Sequence, residues 1–375
     1  MKVLFFQPKH FNRTAQKTNP FFDPIIRVCE DHGVPYRIYQ PYRHPDTGYR
    51  KVYSSQYLRK FVRFFKWIVL PFAKNCPECE LERKAGVLWN VLTFGFYRAD
   101  IYITVAAELA AVLPGINPKA RIVDVQHGII YSSHAGYFDC DGRLMDFLKM
   151  CYQREFWVYG KGFADQFFTN AENAKELGDR VHVVGDILGH KECSIVNNEE
   201  NQKSLLVSLQ LTSECTQCEN DDMYQRTVAF LRGISTNGLW NGFPILLKHH
   251  PRYNNCFDIS SLIKEFTQVQ FVTDDWGVIS KKICVNATLD STVAFDLAAY
   301  GIPTYFIGSD MEESTSCADI WRSDFKYPYW GMSFDRIANL MAEQHDETKV
   351  VLNRWFSDYY GIFNPDRIGE LLKRK

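Results

Sequence analysis

Short runs of apolar residues alternate with longer, more polar stretches along most of the chain. Runs of about four to six Val, Ile and aromatic residues are typical of strands buried on both faces of a parallel sheet. In the first half of the chain the pattern predicts strands at Val3–Phe6, Tyr36–Tyr39, Ile101–Val105, Arg121–Val125, Glu155–Tyr159 and Val181–Val184.

The same alternation restarts after residue 203. It predicts strands at Ser204–Leu209, Pro244–Lys248, Val269–Thr273, Ile283–Asn286 and Thr304–Ile307. It predicts helices at Asp222–Ile234, Ile259–Phe266, Trp276–Lys281 and Ser291–Tyr300. Because repeated strand–helix–strand units form parallel sheets with right-handed crossovers, each half of the chain is expected to form one such sheet.

The segment between the two halves is polar and has no periodicity, which predicts a linker at 188–203. The predicted fold class is therefore α/β, with Rossmann-like domains at 1–187 and 204–345 that face each other across a cleft. Residues 346–375 have a helical pattern, and this segment can fold back on either domain.

Composition narrows the classes of function. The 375 residues suffice for two domains, and 43 Lys and Arg against 44 Asp and Glu argue against a nucleic-acid partner. Four apolar residues before Gln7 are too few for a secretory signal, and no apolar run is long enough for a transmembrane helix. The 11 scattered Cys suggest free thiols in a reducing compartment, so we expect a cytoplasmic protein.

Ligands of open parallel sheets bind beyond the carboxyl ends of the strands, so the residues just after each predicted strand are the first candidates. The strand that ends at Val125 continues into Gln126-His127-Gly128. Glycine permits a sharp turn, and imidazole is suited to proton transfer near neutral pH. His127 is therefore a candidate catalytic base; the alternative is a histidine that only bonds a loop carbonyl.

A second candidate follows the strand that ends at Lys248. If the chain stays extended after it, Lys248, His250 and Arg252 lie on one face and His249 on the other. Pro251 favours an extended conformation at the preceding residue. Three such donors suit a diphosphate or a nucleotide phosphate, whereas the alternative is a basic, solvated strand end.

A third candidate, Asp290-Ser291-Thr292, precedes the helical stretch Val293–Tyr300, which Gly301-Ile302-Pro303 ends. Asp290 or Ser291 can cap this helix, and its free amides with the hydroxyls of Ser291 and Thr292 can bind an anion. Capping without a ligand is the alternative. Tyr159-Gly160-Lys161-Gly162 also follows a strand, and its glycines permit close approach of a ligand, but the motif is a weak phosphate signal.

Together these segments resemble GT-B glycosyltransferases of bacterial surface polysaccharide synthesis. The similarity is greatest to enzymes that use cytidine-activated donors: CDP-glycerol glycerophosphotransferases and CMP-sialic acid or CMP-Kdo transferases. It depends on Gln126-His127-Gly128, His250-Pro251, and Asp290-Ser291-Thr292 through Gly301-Ile302-Pro303.

The resemblance implies that His250 contacts the donor phosphate, that Ser291 and Thr292 hold the same phosphate or the nucleotide sugar, and that His127 is the base. It also implies catalysis without a cofactor or metal. The candidate donor-binding set is Gly128, Lys161, Lys248, His250, Pro251, Arg252, Asp290, Ser291 and Thr292.

The sequence departs from these families at two points. The glycerophosphotransferases have Asp-Tyr-Ser-Ser where this chain has Leu289-Asp290-Ser291-Thr292. The sialyltransferases of this fold use an Asp as base, and Asp139 or Asp141 could take that role here, so the identity of the base stays open. Asp139-Cys140-Asp141 also has the letters of the metal-binding motif of another glycosyltransferase fold, but no buried strand precedes it.

Residues 57–72 combine Arg59, Lys60, Arg63 and Lys66 at helical spacing with Phe and Trp between them. Such a basic amphipathic helix is typical of a membrane surface, so peripheral contact with the inner face of the membrane is one prediction. The alternative is an ordinary helix that packs on the sheet while its cations reach into solvent.

We therefore expect a metal-independent glycosyltransferase that moves a sugar or polyol phosphate from a nucleotide-activated, cytidine-linked donor to a glycan or lipid-linked acceptor. Two alternatives remain. A non-hydrolysing nucleotide-sugar epimerase would need paired carboxylates in the cleft, and a non-catalytic nucleotide-sugar-binding partner in polysaccharide assembly would tolerate loss of His127.

Overall fold

A computed structural model of the chain describes most of its residues. The described residues are 2–8, 11–41, 48–49, 52–73, 76–151, 153–189, 204–236, 244–253, 255, 257–309, 316–333, 336, 339 and 346–374. The chain forms two compact units: unit 1 comprises Met1–Gly189 with Tyr359–Lys375, and unit 2 comprises His190–Asp358.

Unit 1 contains a seven-stranded, fully parallel sheet in the order β3-β2-β1-β4-β5-β6-β7. Its strands are β1 (Val3–Phe6), β2 (Tyr36–Gln40), β3 (Val52–Ser54), β4 (Ile101–Val105), β5 (Arg121–Val125), β6 (Arg154–Val158) and β7 (Val181–Val183). Every residue of β1, β4, β5 and β6 is buried, as expected for strands covered on both faces.

Helices cover this sheet. They are α1 (Asp23–Asp31), α2 (Gln56–Val69), α3 (Glu78–Leu92), α4 (Leu113–Ile116), α5 (Asp146–Lys149), α6 (Lys161–Gln166) and α7 (Ala171–Leu177). A 3₁₀ turn, Leu70–Phe72, extends α2. No helix in the described part of the chain is long and apolar enough to cross a membrane.

Unit 2 contains a second parallel sheet, in the order β10-β9-β8-β11-β12. Its strands are β8 (Ser204–Ser208), β9 (Ile245–Lys248), β10 (Val269–Phe271), β11 (Ile283–Thr288) and β12 (Thr304–Phe306). Its helices are α8 (Gln217–Thr236), α9 (Ser260–Glu265), α10 (Trp276–Ile279), α11 (Val293–Ala298), α12 (Ser316–Ser323) and α13 (Asp346–Tyr359).

The last helix, α14 (Pro365–Lys373), belongs to unit 1, so the C-terminal segment returns to the first sheet. Arg121 at the start of β5 ties it there, because its Nη1 donates to the carbonyl of Leu371 at 2.6 Å and to that of Arg374 at 3.0 Å. Gly162 permits close packing of Tyr359, since a Cβ at this position would lie 2.5 Å from the tyrosine ring.

The predicted α/β class with two parallel, Rossmann-like sheets is confirmed. The bounds of the buried strands β1, β4 and β5 agree with the prediction. The short strand β3 and the helices α1 and α3 were not predicted. The predicted linker lies outside the described residues from 190 onward, so the domain limits and the cleft remain predictions.

Candidate functional site

The order of strands in unit 1 reverses between β1 and β4, because β2 and β3 lie on one side of β1 and β4 to β7 on the other. In open parallel sheets such a switch point opens a crevice at the carboxyl ends of the strands. The residues expected beside this crevice are Gln7 after β1, Gln40 at the end of β2, and the loop that begins at Ala106 after β4. His127 lies one strand further, after β5.

His127 is half-buried against two aromatic rings from the segment between β1 and α1. The imidazole lies edge-on to Phe11 at 5.3 Å and to Phe21 at 6.5 Å between ring centroids. Gly128 follows it and is exposed, with open space where a Cβ would lie. The imidazole is therefore held by aromatic packing at the edge of the sheet where ligands are expected.

The buried side chain of Gln126 fixes the turn that carries His127. Its Nε2 donates to the carbonyl of Gly128 at 2.7 Å, and its Oε1 accepts from the amide of Tyr159 at 2.8 Å. The hydroxyl of Tyr159 donates back to the Gln126 carbonyl at 2.8 Å. The loops after β5 and β6 are thus joined into one hydrogen-bonded unit.

A set of buried amides at the switch point was missed in the sequence. Gln7 Nε2 donates to Asn12 Oδ1 at 2.9 Å, and Asn12 Nδ2 donates to Gln40 Oε1 at 3.3 Å. Gln7 Oε1 and Gln40 Nε2 are buried and have no hydrogen-bond partner within the described part of the protein. A ligand rich in hydroxyl groups can satisfy one acceptor and one donor of this kind. The sequence signal that could have identified these amides is the motif aromatic-Gln-Pro, which occurs at the ends of both β1 and β2.

The loop after β4 has an unusual backbone. Ala106, Ala107 and Leu109 all have φ between 51° and 56°, a region that residues with a Cβ rarely adopt, and such strain is concentrated at functional sites. Asp124 in β5 holds the loop by accepting from the amide of Ala107 and from the Thr104 hydroxyl, each at 3.0 Å. Burial raises the pKa of Asp124 to about 6.

The same loop carries Glu108, a second residue that sequence analysis missed. Its carboxylate pairs with Arg59 of α2 and lines a cavity of about 370 Å³ together with Arg63, Lys66 and Phe147. Burial raises the pKa of Glu108, while Arg59 opposes the rise. An acidic residue three positions after a buried strand was the available signal.

Asp139 and Asp141, the alternative bases, lie in a tight turn bracketed by the antiparallel bridge between Phe138 and Leu144. Asp139 Oδ1 accepts from the amides of Asp141 at 2.9 Å and Arg143 at 2.8 Å. The exposed carboxylate of Asp141 lies 3.6 Å from the Arg143 guanidinium. One oxygen of Asp139 is therefore occupied in shaping the turn, and Asp141 faces solvent.

In unit 2 the strand order reverses between β8 and β11, so the crevice is expected beside the segments that follow these strands. Asp290, after β11, is held by Gln210, after β8. Gln210 Nε2 donates to the Asp290 carboxylate, and Gln210 Oε1 accepts from the Asp290 amide at 2.7 Å. Sequence analysis did not identify Gln210, whose position two residues after a strand was the available signal.

Ser291 and Thr292 follow at the start of α11. The helix begins at Val293, as predicted for the stretch that follows Asp290-Ser291-Thr292, but it ends at Ala298 and not at Tyr300, before Gly301 turns the chain with φ +71°. The Ser291 hydroxyl accepts from the amide of Val293 at 3.3 Å, and the exposed Thr292 is the residue before the helix. The helix is too short for its dipole to contribute much, so any anion held here depends on hydroxyls and amides.

The extended geometry predicted after β9 is wrong. The amide of Tyr253 donates to the carbonyl of His250 at 2.9 Å, so the chain turns at His250–Tyr253, with Pro251 at the position of a β-turn that proline favours. Lys248, His250 and Arg252 therefore do not alternate on one face of a strand.

The three cations have different partners. Lys248 Nζ donates to the carbonyl of Asp274 at 2.7 Å, and Arg252 pairs with Glu214 from the loop after β8. His250 is half-buried; burial and Arg252 lower its pKa, and Glu214 opposes them. Its imidazole follows β9, the neighbour of β8 on the side away from β11.

Lys161, the remaining candidate, begins α6 in unit 1. Its exposed ammonium lies 2.5 Å from the Asp165 carboxylate one turn along the same helix. Exposed pairs of this kind are weak, so Lys161 could exchange Asp165 for an anionic ligand at little cost.

No family model and no curated protein sequence matches this chain. Solved structures match along its whole length. The apo form of the lipopolysaccharide outer core galactosyltransferase WaaB has a TM-score of 0.55 at 12% identity, covering 100% of both chains. The UDP-GlcNAc 2-epimerase of Methanocaldococcus jannaschii has a TM-score of 0.54 at 11% identity, covering 100% of this chain and 99% of that one. The Neisseria meningitidis UDP-GlcNAc 2-epimerase bound to UDP-GlcNAc has a TM-score of 0.53 at 12% identity, covering 100% of both chains. At such identities the likeness shows the fold, which is GT-B.

Proposed function

We propose that this protein is a glycosyltransferase. It moves a sugar or polyol phosphate from a nucleotide-activated donor, cytidine-linked by the resemblance of its motifs, to a glycan or lipid-linked acceptor. The observation that carries the proposal is the set of polar groups at the carboxyl ends of the two sheets: hydrogen-bonding residues without net charge at the switch point of unit 1, and in unit 2 the hydroxyls after β11 with a histidine after β9. Both lie where α/β sheets bind ligands.

Unit 2 supports donor binding. Gln210 fixes Asp290 and with it the following hydroxyls of Ser291 and Thr292, and the loop after β9 presents His250. Hydroxyls, amides and an imidazole can hold a phosphate that leaves with negative charge, which is the charge that transfer from a nucleotide donor develops.

Unit 1 supports acceptor binding and proton removal. His127 takes the proton of the acceptor hydroxyl, whose oxygen then forms the new bond as the bond to the nucleotide phosphate breaks. Asp124 is completely buried, and Glu108 is paired with Arg59. Among the titratable side chains around the unit 1 switch point, half-buried His127 is therefore the one that can reach a ligand, and imidazole is the side chain suited to proton transfer near neutral pH.

The first experiment is turnover with a panel of CMP-, CDP-, UDP- and GDP-linked sugars, with release of the nucleotide measured with and without glycan acceptors. Release from at least one donor that increases with an acceptor is expected. Tight nucleotide binding without turnover would contradict catalysis and favour the non-catalytic binding partner.

Two variants then test the residues. His127→Ala should abolish transfer and leave nucleotide affinity unchanged, whereas His32→Ala, an exposed histidine of the same unit, should change neither. Gln210→Ala should weaken nucleotide binding by about tenfold, because the loop that carries Ser291 loses its support. The matched control is Gln268→Ala, an exposed glutamine of unit 2. Unchanged transfer by His127→Ala would refute its role as base.

A nucleotide-sugar 2-epimerase is the second candidate, because two epimerases share the fold as closely as the galactosyltransferase does. Incubation with UDP-GlcNAc alone, followed by NMR in deuterated water, separates the two activities. Epimerisation at C2 with deuterium incorporation would establish the second candidate and exclude the first.

A further inference from the structure

Helix α2 presents an unusual surface to solvent. Six of its side chains form the outer face of α2, and four of these are large and apolar with exposed fractions of 44% to 74%. The outer face of α2 consists of Tyr57, Lys60, Arg63, Phe64, Trp67 and Ile68. Monomeric soluble proteins rarely leave so many large apolar side chains exposed together, so we expect this surface to bind a partner.

The opposite side of α2 packs against the rest of unit 1. Leu58 and Val62 are buried, and Phe61 packs on Trp89 of α3 at 5.1 Å between ring centroids. Arg59 pairs with Glu108, and Lys66 pairs with Glu78 and Glu82. The four cations of the sequence pattern therefore divide into two that stabilise the fold and two that do not.

The two others, Lys60 and Arg63, are exposed and form no ion pair within the described part of the chain; Arg63 lies at the border of the outer face, where it also lines the cavity beside Glu108. The segment from Gln56 to Phe72 contains no Asp or Glu. The outer face thus combines Trp and Phe with unneutralised positive charge, which is the composition of a helix that lies in the interface of an anionic bilayer.

The segments next to α2 expose further apolar side chains. The 3₁₀ turn adds Leu70 and Phe72, which are 53% and 87% exposed. Helix α3 runs antiparallel to α2, as the pairing of Phe61 with Trp89 and of Lys66 with Glu82 shows. The exposed residues at the end of α3 are Val87, Leu88, Val91 and Leu92.

Phe94, just past α3, is 99% exposed and has φ +50°. A bulky residue in the left-handed region is a genuine outlier that raises the free energy of the fold. Here the strained backbone places an aromatic ring entirely in solvent, where it gains nothing from the protein itself. The aromatic side chain is therefore better explained by a partner than by folding.

We propose that the outer face of α2, with Phe72 and the exposed end of α3, docks on an anionic lipid bilayer. A second copy of the chain fits the surface less well. An isologous contact would bring Lys60 and Arg63 of both copies together, and the segment has no carboxylate to neutralise them. The proposal rests on this surface alone and is independent of the proposed function.

The test uses the full chain and vesicles of phosphatidylcholine, with and without an equal share of phosphatidylglycerol. The protein should co-sediment with the anionic vesicles, less at high salt, and only weakly with the neutral ones. Lys60→Glu with Arg63→Glu should lower partition onto anionic vesicles by at least about 25-fold, because each basic residue near such a surface contributes about fivefold.

A second variant removes the apolar contribution. Phe64→Ser with Trp67→Ser and Phe72→Ser should lower partition by at least about tenfold, since buried aromatic area is lost. All these side chains are exposed, so the thermal melting point should stay close to that of the wild type. Matched controls in the same unit are Ile362→Ser, which is 76% exposed, and the exposed pair Lys119→Glu with Lys175→Glu.

Light scattering measures the mass of the protein in solution and shows whether a second copy of the chain, and not a bilayer, covers the outer face of α2. A monomer that binds anionic vesicles through the outer face supports the proposal. Absence of vesicle binding, equal binding by the outer-face variants and the controls, or a dimer that the outer-face variants dissociate would each overturn it.

Discussion

A cluster of buried ionisable residues lies at the amino ends of β5 to β7, opposite the candidate sites. It allows a quantitative prediction of how the free energy of unfolding changes in acid. Arg121 donates to Glu155 through Nε at 2.6 Å and Nη2 at 2.8 Å, and His182 Nε2 lies 3.4 Å from the same carboxylate. The same guanidinium bonds the carbonyl of Leu371 in α14. Protonation of Glu155 should therefore loosen both the sheet and the docking of the C-terminal segment.

The magnitude follows from the pKa of Glu155. Burial opposes its ionisation, but the contacts with His182 and Arg121 outweigh burial and lower the pKa from the ordinary value of 4.5 to about 2. Because the pKa is lower in the folded state, the stabilisation is present above the unfolded pKa and is lost as the pH falls toward the folded one. At about 1.4 kcal/mol per pH unit, it amounts to about 3 kcal/mol at neutral pH, of which about 2 kcal/mol is lost by about pH 3.

Urea unfolding of the wild type and of Glu155→Gln, followed by tryptophan fluorescence at several pH values, measures this contribution. The difference in free energy of unfolding between them should shrink by about 2 kcal/mol from about pH 6 to about pH 3. Glu265→Gln, which removes an exposed ion pair with Arg232, should leave the wild-type pH dependence unchanged. A difference between wild type and Glu155→Gln that stays constant with pH would refute the reasoning.

Three further variants test the packing and the buried charge of the fold. Gly162→Ala should lower the melting point and expose the C-terminal segment to limited proteolysis, because the new Cβ would lie 2.5 Å from the Tyr359 ring. Gly233→Ala, in α8 with nothing within 4 Å of the new Cβ, should raise the free energy of urea unfolding by about 1 kcal/mol. Asp124 has a pKa raised from 3.8 to about 6, so its contribution to stability is largest at low pH and is lost as the pH rises through about 6. Asp124→Asn should therefore remove a fall in wild-type stability between about pH 4 and about pH 7, measured by urea unfolding.

The buried strands could be predicted because both faces of a covered parallel sheet require apolar residues, and this leaves a continuous run in the sequence. The same reasoning fails for β3, whose three residues are only half-buried and form no such run. It also fails for α3, whose exposed apolar residues blur the helical period that a buried stripe would show.

The loop after β9 shows a different limit. Pro251 correctly indicated a restricted backbone, but a β-turn and an extended chain are both compatible with proline. The choice between them and the pairing of Arg252 with Glu214 depend on a loop that follows another strand. Sequence spacing along one strand cannot predict a partner that the topology brings from the next one.

Apart from Glu108, the residues that sequence analysis overlooked or left without a role are side-chain amides. Four strands end in or lead into a glutamine, three in unit 1 and one in unit 2: Gln7, Gln40, Gln126 and Gln210. An amide both donates and accepts without charge. Gln126 and Gln210 use both halves to hold neighbouring loops, whereas Gln7 and Gln40 are buried with one half that has no partner in the described part of the protein and can bond a ligand. A charged side chain in the same place would need a buried partner of opposite sign. A search of strand ends for charged residues therefore finds groups that transfer protons and bind phosphate. It does not find the neighbouring amides, which are the residues suited to a neutral, hydroxyl-rich ligand.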